Sequence, residues 1–308
     1  MELRQFRYFV KICELQSLGR AALELGVVPS ALSQQMSRLE SELSTRLLQR
    51  GSKGVTPTDA GLAFLQQVQL VLRHTDDAVQ AAQHARLSGH VSIGLASTTA
   101  SVIGVPLQQA MRARYPDIRL HLVEALSGDI GKMLNARQID LAIIFYADTG
   151  RRWHLSPLLD EKLFMVASLQ LAGIPLTPEI RLADLEGVPL VLPSRLHGLR
   201  TSLETAFKQA NVVPKVVVEI DGLALLMDTV LAGLAASIQP GAAIANAAEL
   251  GLVRAQILDE GVERRNFLAS LSDDELSPAG LAARVVMADV ARQLVEEGLW
   301  PGATLHKN

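Results

Sequence analysis

The chain has 308 residues, 49% of them apolar and 20% charged, with a formal net charge of −3. That length fits about two domains, the apolar content supports substantial cores, and wholesale disorder is excluded. No uninterrupted apolar run reaches the roughly 18 residues of a membrane-spanning helix, and the lone Cys13 excludes an intramolecular disulfide.

The first sixty residues read as three helices and a hairpin. Leu3, Phe6, Phe9, Val10 and Cys13 fall at helical spacing. Ser17 is a credible N-cap for a short second helix, Leu18 to Leu25, stopped by Gly26. Val27 and Val28 are expected to fill the corner. Pro29 then opens a third helix, in the first turn where a missing N–H costs nothing. Leu32, Met36, Leu39 and Leu43 give that helix a buried side, while Ser30, Ser33, Gln34 and Ser37 line another face. Helix, glycine-containing turn, helix at this spacing is the helix-turn-helix pattern. Two short apolar or β-branched pieces around Gly51-Ser52-Lys53-Gly54 read as a hairpin with Arg50 and Lys53 at its tip. Thr58 can cap the next helix, with Asp59 favoured in its first turn.

That helix is expected to run from about Asp59 to Leu87. Leu65, Val68, Leu72, Thr75, Val79 and Ala82 alternate by three and four, a heptad seam that needs a partner. Either a second copy or the body of the chain could supply it, and the strict heptad favours self-association. Beyond Ser88-Gly89-His90, strands expected at 91–96, 119–124, 139–146, 188–193, 216–220, 234–239 and 266–272 alternate with helices at 103–114, 128–137, 199–210, 222–232, 241–248 and 277–297. Such alternation argues a parallel-type sheet flanked by helices, in about 220 residues that can form two lobes.

Charge is distributed unevenly. Residues 1–87 carry ten Lys/Arg against eight Asp/Glu, and the remainder nineteen against twenty-four. The excess at the front permits nucleic-acid binding without establishing it. Enzyme signatures are missing: there is no GxGxxG, Walker loop, GxSxG elbow, HExxH or CxxC, and seven scattered histidines with one cysteine give no metal-ligand spacing. Neither a cofactor nor a metal is expected. The N-terminus lacks a secretory pattern, which with the single cysteine points to the cytoplasm.

Taken in order, LRQFRYFVKICELQSLGRAALELGVVPSALSQQMSRLESELSTRLLQRGSKGVTPTDAG, GHVSIGL, YPDIRLHLVEALSGDIGKMLNARQIDLAIIF, LVLPSRLHGLR and LSPAGLA resemble the LysR-type transcriptional regulators over nearly the whole chain. SGDIGKML and PSRLHGLR are most similar to the nitrogen-assimilation-control subgroup. The resemblance implies an α/β protein with a winged helix-turn-helix at 1–58 and a dimerising linker helix at 59–88. It implies a two-lobed effector domain at 89–308, built like a periplasmic binding protein. Lobe I would comprise 89–161 and 266–308 and lobe II 162–265, with crossings near Glu161–Lys162 and Arg265. It implies double-stranded operator DNA, a small-molecule effector and a second copy of the chain as partners, with tetramers of two dimers. RNA polymerase is a further candidate partner. One departure stands out: where the family commonly has Ser-Gln-Pro, this chain has Val28-Pro29-Ser30.

Site residues follow from that frame. A helix in the major groove reads bases with short side chains near its N-terminal end, which nominates Ser30, Ser33 and Gln34, with Arg38 beyond them. Gln can pair bidentately with adenine, and Ser can serve several bases. Arg50 and Lys53 are candidate phosphate or minor-groove contacts. In the effector domain Ser97, Thr98 and Thr99 follow the first strand and Ser127 the second, where hydroxyls and free N–H groups suit an anion. Ser194, Arg195 and His197 are nominated from the opposite lobe, with Phe145 and Asp221 on the wall. Ser97, Thr98 and Ser127 could equally be helix caps, His197 a surface histidine, and Arg195 the partner of a neighbouring acid. Leu65, Val68, Leu72 and Val79 are the dimerisation candidates. A solute-binding protein and a small-substrate enzyme on an α/β scaffold remain the alternatives, since fold alone does not fix function.

Overall fold

Residues 1–51, 54–83, 87–146, 153–195 and 197–306 are described by the computed structural model. The chain divides into two units, Met1–Arg86 and Leu87–Asn308.

The first unit begins with α1 (Leu3–Leu15), α2 (Leu18–Glu24) and α3 (Pro29–Glu42). Phe9 and Ile12 of α1, Ala21 and Ala22 of α2, and Leu32, Met36 and Leu39 of α3 form one buried cluster. Ser17 caps α2 by accepting a hydrogen bond from the Arg20 N–H at 3.3 Å. Gly26 turns the chain at φ +66°, a conformation that glycine enters without a Cβ clash. Pro29 occupies the first turn of α3, whose N-cap Val28 makes no side-chain capping bond. A hydroxyl or carboxamide there would contribute about 1 kcal/mol. Val27 packs against the cluster, but Val28 does not fill the corner as expected, being 62% exposed.

Strands β1 (Leu48–Gly51) and β2 (Gly54–Pro57) pair antiparallel with Gly51 opposite Gly54, so the hairpin forms where the glycines are. Ser52 and Lys53 lie outside the described residues. Helix α4 covers Asp59–Gln83, and Leu87, expected at its end, is not helical. Thr58 Oγ1 accepts from the Gly61 N–H at 3.0 Å and donates to the Arg46 carbonyl at 2.7 Å, locking the start of α4 to the wing. Only glycine fits at 61, where an added Cβ would stand 2.0 Å from the Leu47 carbonyl oxygen. Phe64 of α4 meets Phe6 and Phe9 of α1 edge-on, with ring centroids 5.7 and 5.4 Å apart.

The second unit opens with β3 (Gly89–Leu95), α5 (Ser97–Arg114), β4 (Ile118–Glu124), α6 (Ser127–Asn135) and β5 (Leu141–Ile144). These strands are parallel neighbours, β3 lying between β4 and β5. Next comes β6 (His154–Ser168), fifteen residues long, then β7 (Glu179–Ile180), β8 (Pro189–Leu192), α7 (Gly198–Gln209), β9 (Lys215–Glu219), α8 (Leu223–Leu231) and β10 (Ser237–Pro240). The chain closes with β11 (Leu252–Ile257), β12 (Glu263–Ser270), α9 (Pro278–Glu296) and β13 (Ala303–Leu305).

Among the described residues a nine-stranded curled sheet follows the order β4-β3-β5-β12-β6-β11-β7, with β10 and β13 also on β6, and β8–β9 form a separate parallel pair. The expected parallel-type sheet is therefore mixed. β12 runs antiparallel to both β5 and β6, and β10, β11 and β13 run antiparallel to β6. Four strands went unanticipated: β6, β7, β11 and β13. Pro157 and the charged run Asp160-Glu161-Lys162 obscure β6, but pairing on both flanks settles its backbone. A register shift, Asn266 opposite Leu159 but Phe267 opposite Pro157, lets the proline sit beside β12 without a ladder N–H.

The helix expected at 241–248 is a single 3-10 turn, Gly241–Ile244. Its glycine presses so closely on Pro301 that a Cβ would lie 1.6 Å from that carbonyl oxygen. Around β6, one core gathers Leu163, Met165, Leu190, Leu203 and Phe207, and a neighbouring one gathers Val166, Leu226, Val230 and Ile244.

Candidate functional site

In the first unit, α3 turns its buried side inward through Leu32, Met36 and Leu39 and leaves its leading end open. Ser30, Gln34 and Arg38 are exposed, and Arg38 Nε donates to Glu42 Oε1 at 3.3 Å. Ser33 is half-buried rather than fully outward, and it helps line a groove of about 330 Å³ with Ser37, Glu40, Arg46, Gln49 and Thr58. Arg50 lies on β1 with its side chain outside the described set, as Lys53 is altogether.

Sequence reasoning passed over Glu40, the residue that joins α3 to the wing. It is buried, yet Oε1 accepts from the N–H groups of Leu47 at 2.8 Å and Leu48 at 3.0 Å. Oε2 accepts from Arg46 Nη1 at 3.0 Å. A buried carboxylate is tolerable only with such donors, and here they are the backbone entering β1. The Glu40 side chain thus ties the wing to the last turn of α3, beside the packing of Met36 and Leu39 against Leu47 and Val55.

On α4, Leu65 packs against the α1–α3 cluster, so the body of the unit takes up the first seam position. Val68 is buried and Leu72 half-buried, whereas Val79 is 49% exposed. The side chain of Ala82 lies outside the described set.

In the second unit, Ser97, Thr98, His197 and Asp221 border one small cavity of about 20 Å³, room for little more than a water. It lies where the starts of α5, α7 and α8 converge, with Leu126 just ahead of α6. The capping reading of the hydroxyls fails: Ala96 and Leu126 are the N-caps of α5 and α6, and Ser97 and Ser127 are already helical. Ser127 is buried, its Oγ 3.6 Å from where a Cβ on Gly198 would stand across the cleft. Thr98 Oγ1 accepts from Arg264 Nη1 at 3.0 Å, while the fully buried Thr99 Oγ1 has no hydrogen-bond partner.

His197 is the half-buried N-cap of α7, its Nδ1 accepting from the Leu199 N–H at 3.4 Å. Burial pushes its imidazole below the usual histidine range and the nearby Arg264 charge adds to this, while Asp221 opposes. The Ser194 N–H and Oγ donate to the two Asp221 oxygens at 2.8 and 3.1 Å, holding that carboxyl below its ordinary range. Arg195 takes the second of its two options: its Nε donates to Glu204 at 3.0 Å.

Behind the cavity stands a cluster that the sequence reading did not nominate. Glu161 is fully buried on β6 and Arg264 is 7% exposed on β12. Arg264 donates from Nε and Nη2 to Glu161 Oε2 at 3.1 and 2.7 Å. Trp300 Nε1 and the Ala242 N–H donate to Glu161 Oε1 at 2.8 and 2.7 Å. The Arg264 guanidinium also sits 3.9 Å over the Phe145 ring, a cation–π contact, so Phe145 backs the arginine. The available signal was alternation. Asp160-Glu161 faces Arg264-Arg265 across two strands, one pair on the buried face and Arg265–Asp160 on the exposed one.

Among the described residues no group of three or more His, Cys, Asp or Glu could hold a metal ion, and no helix is long and apolar enough to cross a membrane.

Comparison with known proteins converges on one family. Residues 3–62 match the bacterial regulatory helix-turn-helix protein family, lysR type, and residues 84–294 match the LysR substrate binding domain. The nitrogen assimilation regulatory protein nac of Escherichia coli K12 is 35% identical over 246 residues, 79% of each chain. A full-length OxyR variant from Pseudomonas aeruginosa shares the fold with a TM-score of 0.74 at 21% identity, covering 100% of this chain and 99% of that one. Full-length CbnR, solved in complex with its target DNA, gives a TM-score of 0.66 at 23% identity over 94% of this chain and all of that one. The chain belongs to the LysR family: it is a transcriptional regulator with an N-terminal helix-turn-helix DNA-binding domain and a C-terminal effector-binding domain.

Proposed function

We propose that α3 lies in the major groove of an operator, with Ser30, Ser33 and Gln34 at base edges and Arg38, Arg50 and Lys53 on phosphates. In this reading residues 1–58 bind DNA. Helix α4 pairs two copies through Leu72 and Val79; Leu65 packs on the helix-turn-helix core and Val68, also expected at the seam, is already covered within the chain. The effector enters between lobe I (89–161 and 266–308) and lobe II (162–265). There it meets Ser97, Thr98 and Ser127 from one side and Ser194, His197 and Asp221 from the other; Thr99, nominated with them, is fully buried and does not border the cavity. Arg195 and Phe145 act at one remove, through Glu204 and Arg264. The protein works in the cytoplasm as a dimer or a dimer of dimers, and RNA polymerase is a further partner.

The supporting observation is the open, hydroxyl- and amide-bearing end of α3 beside a wing fixed to it by Glu40. The effector's action is a two-state claim: it shifts lobe angle only by binding one arrangement better than the other. The test is a binding selection with wild type and Gln34→Ala. The variant is expected to lose preference at one base position, at about 1–3 kcal/mol of discrimination. Unchanged preference rejects the assignment. A footprint repeated with a metabolite panel identifies the effector as the compound that shortens or moves it.

A further inference from the structure

Val28 stands in an unfavourable position for a valine. It is the N-cap of α3, where it makes no capping bond, and it is 62% exposed, so it adds nothing to the core either. Its neighbour Val27 does the packing, and the residues that follow, Pro29, Ser30 and Ala31, are all exposed. A β-branched apolar side chain is therefore left exposed at the leading end of the helix, two residues ahead of the exposed Ser30. That end is the part of a recognition helix that reaches base edges. The floor of a major groove presents one apolar group, the C5-methyl of thymine, amid hydrogen-bonding atoms.

We infer that Val28 is a specificity-determining residue that packs its methyls on a thymine C5-methyl in each half-site. This rests on the reading that α3 lies in the major groove. The contact is apolar and selects thymine over cytosine at one position, independently of the hydrogen bonds of Ser30 and Gln34. It also accounts for an N-cap that gives up a capping bond: the side chain is covered only in the complex.

The experiment uses the full chain and a duplex obtained from it by binding selection. Each thymine is replaced singly by deoxyuridine, which removes the methyl and nothing else. One position per half-site is expected to weaken wild-type binding about fourfold, the value of one buried methyl-sized group. Val28→Ser is expected to bind the thymine and uracil duplexes equally. It should also melt at a higher temperature than wild type, because serine caps the helix. Stability and affinity then move in opposite directions, which a merely structural role would not produce. A uracil penalty that persists in Val28→Ser, or none at any thymine, overturns the inference. If Gln34→Ala in parallel leaves base preference unchanged, the major-groove reading itself falls and Val28 with it. If Gln34 shifts preference while the Val28 arm stays flat, only the thymine contact is rejected.

Discussion

Arg264 is the register partner of Glu161 across β12 and β6, and its guanidinium reaches that carboxylate at 2.7 Å with both side chains shut away from solvent. Such a pair is costly to bury and more costly to break. Arg264→Ala is expected to destabilise the second unit by about 3–5 kcal/mol, since it leaves the carboxylate uncompensated. The double variant Glu161→Leu/Arg264→Met should recover much of that loss. Both tryptophans, Trp153 and Trp300, lie in this unit, so urea unfolding followed by tryptophan fluorescence reads it directly. A single variant within about 0.5 kcal/mol of wild type, the range of an ordinary surface change, would contradict the buried-pair account.

Glu40→Ala should loosen the wing. It strands the Leu47 and Leu48 N–H groups, at about 1–3 kcal/mol. Operator affinity is expected to fall along with the melting temperature of the first unit. Glu40→Gln keeps an oxygen for those amides and should lose less. Thermal melts and gel shifts on all three proteins check the order.

His197 predicts an acid-sensitive second unit. Its folded pKa lies below the ordinary value of about 6.5. Its contribution is therefore complete above that value and declines as pH falls through the folded pKa, because the unfolded chain takes up the proton first. Arg264 deepens the effect and Asp221 opposes it. Fluorescence-monitored stability from about pH 7.5 to about 5, the range over which an ordinary histidine titrates, should fall more steeply in wild type than in His197→Gln. Parallel curves would refute the assignment.

Cys13 should be inert while the first unit is folded. Burial pushes its thiol up to about 12, so almost no thiolate exists at neutral pH. Iodoacetamide at about pH 8, where a free thiol is partly ionised, is expected to label the chain only in denaturant, as mass spectrometry would reveal. Rapid labelling under native conditions would show that the first unit opens readily.

Local signals carried the N-terminal reading. Ser17, Gly26, Pro29 and the glycines of the wing each act on their own few residues, and helix boundaries followed them. Side-chain direction was harder: Val28 and Ser33 turned out otherwise than expected, because the tilt of α3 against α2 and the wing decides which flank is covered. In the second unit, β3 and β5 stood out as apolar stretches and β4 by its alternation, whereas β6 is recognisable only with its neighbours in place. The cavity-facing hydroxyls lie at strand-to-helix junctions and were legible for that reason. Glu161, Arg264 and Trp300 were not, since they meet through contacts between residues more than 100 positions apart.

The long strand β6 runs from the ladder with β12 into that with β11 and β10 without a break. In the two-lobe reading, the halves of the effector domain are therefore joined through a hydrogen-bonded strand. Turning one half against the other would then mean winding or unwinding that strand and its ladders. Two-stranded ribbons tolerate a wide range of twist. An effector that binds one degree of twist better than another would therefore act against the stiffness of this ribbon, with its differential affinity as the opposing force.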